Sequence, residues 1–205
     1  MPARTRMAAC VITALTLLGA APAPAVVQAP TAKPSFDCAK ASGQAEELVC
    51  KDAGLAALDV RMADVFQKAM TTWPADVAKT QRAMQIGWIK GRNDCWKSAD
   101  LRACVDGNYK DRILELQIAS NQLKPPTISA WACAGGEGKP VTVAFYNDAE
   151  PKAAILKVGD DAMSVYAAPS ASGARYGSGQ VEFWEHQGAA TIDWFGTKLT
   201  CKPRT

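Results

Sequence analysis

The chain has 205 residues, 48% hydrophobic and 21% charged, a globular composition with room for one or two domains. Its 23 basic and 20 acidic residues leave a formal charge of +3. Residues 26–128 hold fourteen basic side chains against twelve acidic, and residues 129–205 hold seven against eight, so neither half offers the basic stripe that nucleic-acid binding requires.

The N-terminus reads as an export signal. Arg4 and Arg6 form a positive start, Met7 to Ala20 an apolar run, and Ala23-Pro24-Ala25 a small-residue cleavage site, which predicts a signal peptide over 1–25. The run is too short for a membrane span, and no later segment is apolar enough for one. Cys10 lies at the front of the run rather than after it, a poor position for lipid attachment, so a periplasmic or secreted, soluble product is expected. Residues 26–34 are expected to be an Ala/Pro-rich disordered leader.

From Ser42 to about Leu123 the apolar pattern is helical. Ser42 can cap a first helix whose opening turn carries Glu46 and Glu47, with Asp52 and Gly54 as breakers. Leu55, Leu58, Met62, Val65, Phe66 and Met70 then mark one face of a second helix. Pro74 suits the first position of a third, with Val77, Gln81, Met84 and Trp88 as its inner stripe. Ser98 can cap a last helix that turns Leu101, Val105, Tyr109, Ile113 and Leu116 to one side.

Lys124-Pro-Pro-Thr127 stops the helical pattern and predicts an extended linker over 124–128. Beyond it the period becomes two. Strands are expected near 141–145, 154–158, 163–166, 181–184, 190–194 and 198–202, with turns at Gly135-Gly136, Asn147-Asp148, Gly159-Asp160-Asp161 and Gly177-Ser-Gly179. Short strands at this spacing suit a small barrel or sandwich, and closure removes exposed edges. The fold class expected is therefore α+β in two domains: a disulfide-clipped helical domain over 35–123, then a small antiparallel β-barrel closed by a disulfide over 129–205.

Without Cys10, six cysteines remain, an even number in an exported chain, and fifteen pairings are possible. The favoured set is Cys38–Cys50, Cys95–Cys104 across the turn between the last two helices, and Cys133–Cys201 tying the first and last strands of one domain. There is no CxxC spacing and only one histidine, His186, so no structural zinc and no cofactor is expected. Ser172 and His186 are conceivable as a nucleophile–base dyad, but GxSxG is absent, and a histidine just after Trp184 reads as a solvated loop residue. No pair of carboxylates stands out by spacing for glycosidase chemistry. The chain is read as a non-enzyme. The polar, Gly-containing segment Ser170-Ala-Ser-Gly-Ala-Arg-Tyr176 reads instead as a binding loop carried by a rigid scaffold.

Two resemblances sharpen this reading. In the first half, Asp37-Cys38, Glu47, Cys50, Leu58-Asp59, Gln81, Trp88, Arg92, Cys95, Cys104, Tyr109 and Arg112-Ile113 fall in the order of the lysozyme inhibitor LprI-like helical domain, over about residues 36–118. Its most specific part is Gln-x6-Trp-x3-Arg-x2-Cys at 81–95. Physically these residues read as structural: cysteines clip helices, Trp88 and Leu116 fill the core, and Arg92 and Arg112 pair with acids such as Asp94 or Glu115.

The second half resembles the membrane-bound and periplasmic inhibitors of C-type lysozyme over about residues 131–203, on Trp131-x-Cys133, Ser172-Gly-Ala-Arg-Tyr176, Phe183-Trp184, Ala190-Thr191 and Cys201. The resemblance implies a partner, C-type lysozyme, and a contact set of Ser172, Gly173, Ala174, Arg175, Tyr176, His186 and Gln187. In that family a serine opening the motif and a lysine two residues after the tryptophan reach the lysozyme active site. Here they correspond to Ser172 and His186, so a histidine replaces the lysine. His186 can meet a carboxylate as a cation only when protonated, which implies inhibition that weakens above neutral pH; otherwise Gln187 or Arg175 supplies the polar contact. Tyr176 and Trp184 read as packing residues and Gly173 as a backbone turn. A monomer or weak dimer is expected. The other reading is an envelope module that binds a different wall-active hydrolase or a glycan.

Overall fold

The computed structural model describes residues 33–204. The expected signal peptide, Cys10 and all but the last two residues of the leader lie outside them. Four helices come first: α1 (Gln44–Lys51), α2 (Ala53–Thr72), α3 (Ala75–Asn93) and α4 (Leu101–Ala119), with single 3-10 turns at Cys38–Lys40 and Asp94–Lys97. Two expected caps move. The N-cap of α1 is Gly43 rather than Ser42, whose backbone N–H instead donates to Glu46 at 2.9 Å. The N-cap of α4 is Asp100 rather than Ser98, because its carboxylate reaches the Ala103 N–H at 2.9 Å while the Ser98 hydroxyl bonds to the Asp100 backbone. Asp52 ends α1 and caps α2 by accepting from the Leu55 N–H, so the chain turns there within one residue, and Gly54 lies inside the helix rather than breaking it.

Leu55, Val65, Val105, Tyr109, Ile113 and Leu116 are buried at the centre of this half, with Trp88 packed against them. The inner stripe of α3 differs from its expected form. Met84 is 47% exposed, while Gln85 and Arg92 are buried. The reason is a polar network inside the helical core. Tyr109 donates to Asp59 Oδ1 at 2.8 Å, and Arg92 bonds Tyr109 Oη, Asn93 Oδ1 at 2.7 Å and Glu46 Oε1 at 3.4 Å. Arg92 therefore pairs with Glu46 and Asp59, not with Asp94, which pairs with Lys97. Arg112 pairs with Glu115 at 2.8 Å and donates to Gln85 at 2.9 Å. A buried charge is tolerated only when its hydrogen-bonding capacity is met, and here four elements share the task.

Eight strands follow: β1 (Thr127–Ala134), β2 (Val141–Tyr146), β3 (Ala153–Val158), β4 (Asp161–Ala167), β5 (Ala174–Ser178), β6 (Val181–His186), β7 (Ala189–Trp194) and β8 (Thr197–Pro203). Each pairs antiparallel with the next, and β1 pairs with β8, so the sheet closes into a barrel. Alternation along each strand turns Val141, Val143, Leu156, Val165, Phe183, Ile192 and Leu199 inward. The extended stretch after α4 is shorter than expected, since β1 already starts at Thr127.

All three disulfides have the expected pairing: Cys38–Cys50, Cys95–Cys104 and Cys133–Cys201. Cys133 and Cys201 are direct partners in the β1–β8 register, so the bridge lies across the closing seam. It spans 68 residues, and a loop of that length corresponds to about 4 kcal/mol of unfolded-state entropy.

The two halves meet through Leu114 of α4, Ala149, Ala153 and Tyr166, with Leu123, Tyr146 and Ile155 around them. At this junction Tyr166 donates its hydroxyl to Asp111 at 2.6 Å. The Lys124 N–H donates to Asp148 at 2.9 Å, which fixes where the chain leaves the helices.

Candidate functional site: the Ser172–His186 end of the barrel

The segment 170–176 is not one loop. Ser172 and Gly173 end the β4–β5 connection, whereas Ala174, Arg175 and Tyr176 already belong to β5. Alternation then separates their side chains. Tyr176 is buried in the barrel core with its ring 5.4 Å from Phe145, and burial pushes its phenol up from the ordinary value. Ala174 packs partly against the same core. Arg175 points outward and pairs across the strands with Glu182, at 2.9 Å from its Nε. Of the seven expected contact residues, Tyr176 thus has no exposed ring to offer, and Arg175 is engaged on the barrel wall.

Ser172, Gly173, His186 and Gln187 converge. Strand β6 ends at His186, and the two-residue turn Gln187-Gly188 leads into β7 with φ of 52° and 77°. Positive φ at both turn residues is the hairpin geometry that matches strand twist. This turn lies beside the β4–β5 connection, because Ala174 pairs with Glu185. The Ser172 hydroxyl is 3.1 Å from His186 Nδ1. Three further contacts fix the pair. Trp184 Nε1 donates to the Ser172 carbonyl at 3.0 Å, the Ser170 hydroxyl donates to the same carbonyl at 2.6 Å, and the Trp184 and His186 rings stack at 5.5 Å.

Gly173 makes the approach possible. Its φ is +72°, and a Cβ placed there would lie 1.9 Å from the Glu185 carbonyl oxygen, inside any allowed contact. His186 is accordingly not a loop residue but a half-buried side chain at the end of β6, in contact with Ser172. Among the described residues no acid hydrogen-bonds its other ring nitrogen, so the contact lacks the third, orienting group of a nucleophilic triad. Nor does any group of three or more His, Cys, Asp or Glu side chains among them suit a metal ion. No helix of the described chain is long and apolar enough to cross a membrane.

The arrangement is a barrel whose wall presents one small, polar, prearranged tip. Residues 131–200 match the family described as membrane-bound lysozyme-inhibitor of c-type lysozyme. Proteins named lipoprotein LprI from Mycobacterium tuberculosis and Mycobacterium bovis are 36% identical over 192 residues, which is 93% of this chain and 95% of theirs. The chain belongs to the LprI family. Among solved structures, Pseudomonas aeruginosa MliC, crystallised in complex with hen egg white lysozyme, is 27% identical over 40% of this chain and 86% of its own, with a TM-score of 0.34.

Proposed function

We propose that this chain is an exported inhibitor of C-type lysozyme and that the Ser172–His186 tip is the part that enters the lysozyme cleft. The inhibitor assignment rests on the family match over 131–200 together with the LprI relatives across nearly the whole chain. The mechanism is physical plugging. A C-type lysozyme works with two carboxyl groups, one kept protonated as general acid and one ionised. The Ser172 hydroxyl can donate to one carboxyl and accept from the other. Protonated His186 can face the ionised carboxylate, with Gln187 beside it as an amide donor and Gly173 letting the backbone approach closely.

The observation that carries this reading is the 3.1 Å contact between Ser172, on the β4–β5 connection, and His186, at the end of β6, presented together at one end of the barrel. Because imidazole stands where a lysine would, and unlike an ammonium can be neutral, potency should fall as pH rises from about 5.5 to about 8.5. The test is the inhibition constant against a C-type lysozyme across that range for the wild type and for His186→Lys, normalised to the lysozyme's own activity at each pH. A falling wild-type profile beside a flat His186→Lys profile supports the histidine cation. Two flat profiles remove it and leave Gln187 as the polar contact.

A further inference from the structure

A second feature lies away from this tip. A cleft of about 1310 Å³ runs between the N-terminal half of α4 and the outer wall of β5–β8. It is larger than the ~300–1,000 Å³ usual for one small molecule, so it suits an oligomer. Its mouth includes the β5–β6 and β7–β8 turns, at the ends of β6 and β7 opposite to Gln187-Gly188.

Most of its charges come already paired, and its Asp100 and Asp111 carboxyls accept instead from the Ala103 N–H and the Tyr166 hydroxyl. Arg175 bonds Glu182, Lys198 bonds Asp193 at 2.5 Å, and Lys110 bonds Asp106 at 2.5 Å. Each pair neutralises itself, which disfavours a polyanion or polycation as ligand but leaves donors and acceptors side by side. The Lys198 ammonium and the Gly196 N–H hold the Asp193 carboxyl below the usual carboxylate range.

Phe195 is the second signal. It occupies the first position of the two-residue turn Phe195-Gly196, with φ of 51°. Asn, Asp or Gly fits that position best, and a bulky aromatic is strained there. Yet the ring is 54% exposed and lines the cleft. The strain gains nothing in core burial, and strained residues of this kind concentrate at ligand sites.

An exposed flat ring beside neutral, hydrogen-bonding pairs fits a ligand that is uncharged, rich in hydroxyl and amide groups, and apolar on one face. We infer that this cleft is a binding site for a neutral N-acetylated oligosaccharide, with Phe195 as its stacking platform and the Arg175–Glu182 and Asp193–Lys198 pairs as its hydrogen-bonding wall. The inference is independent of lysozyme inhibition, because the two sites lie at opposite ends of β6 and β7.

The test is a two-dimensional NMR titration of the full exported chain with the β-1,4-linked tetramer of N-acetylglucosamine, repeated with Phe195→Asn. Asparagine favours the turn, so this variant should unfold at the same temperature as the wild type or higher. Saturable shifts centred on Phe195, Gly196 and Ser178–Gln180, with affinity about tenfold weaker in Phe195→Asn, are expected. No saturable shift, shifts confined to other surfaces, or affinity unchanged in Phe195→Asn would each overturn the assignment.

Discussion

Gly173 shows how one atom sets the geometry of the proposed tip. At φ +72° and with the Glu185 carbonyl oxygen 1.9 Å from where a Cβ would stand, alanine cannot be accommodated without moving the connection off β6. Gly173→Ala is therefore expected to separate Ser172 from His186 and lower inhibitory potency about tenfold or more. Potency at the wild-type level in a lysis assay would show that the tip tolerates displacement. In the helical half the equivalent residue is Arg92, 3% exposed, whose guanidinium faces Tyr109, Asn93, Glu46 and Asp59. Truncation leaves the buried Asp59 carboxylate with only the Tyr109 hydroxyl and the Ser35 N–H as donors. Removing one partner of a buried ion pair typically costs ~3–5 kcal/mol, and Arg92→Ala should lose about that much in urea unfolding. A loss below about 1 kcal/mol would contradict a structural role for the Arg92 ion pairs.

At the scale of elements, the α4–barrel junction carries a titratable contact. Burial raises the Asp111 carboxyl above its ordinary value, against the lowering influence of the Tyr166 hydroxyl. A carboxyl raised on folding stabilises the fold fully below its unfolded value, and that stabilisation is lost as pH rises through the folded value. At neutral pH the ionised form is thus a net cost. Asp111→Asn keeps an oxygen to accept from Tyr166, so it should raise the melting temperature slightly at pH 7 and match the wild type near pH 3. A lower melting temperature at pH 7 would show that the charge itself holds the junction. The elements themselves were largely legible. Helix faces follow from three- and four-residue steps, six of the eight strands from alternation, and the disulfide pairing from cysteine positions. The misreadings have local causes. Ser42 and Ser98 read as caps because serine is a common one, but α1 starts one residue later, after Gly43, and the Asp100 carboxylate caps α4. Apolar periodicity turns Met84 to the inner stripe of α3, but it cannot foresee that Gln85 and Arg92 are buried to complete a polar network. Strand β5 was hidden in a segment whose small and polar residues look like a loop, and its inward Tyr176 was the available signal. The turns Gln187-Gly188 and Phe195-Gly196 carry a glycine at the second position, a hairpin signal that could have been read.

At the scale of the whole molecule, closure is what makes the tip rigid. The β1–β8 pairing and the Cys133–Cys201 bridge remove free edges, so the connections at the tip hang from strands bonded on both sides. What sequence could not convey is the meeting of residues from separate elements: that Ser172 and His186 touch depends on the β5–β6 register, and that Phe195 faces α4 depends on how the helices pack on the barrel. The most direct measurement is peptidoglycan lysis by a C-type lysozyme titrated with the full exported chain and with Ser172→Ala. Stoichiometric inhibition by the wild type, lost or severely weakened in a folded Ser172→Ala variant, is the expected result. Full inhibition by Ser172→Ala would move the contact to another surface, and no inhibition by the wild type would contradict the inhibitor function itself.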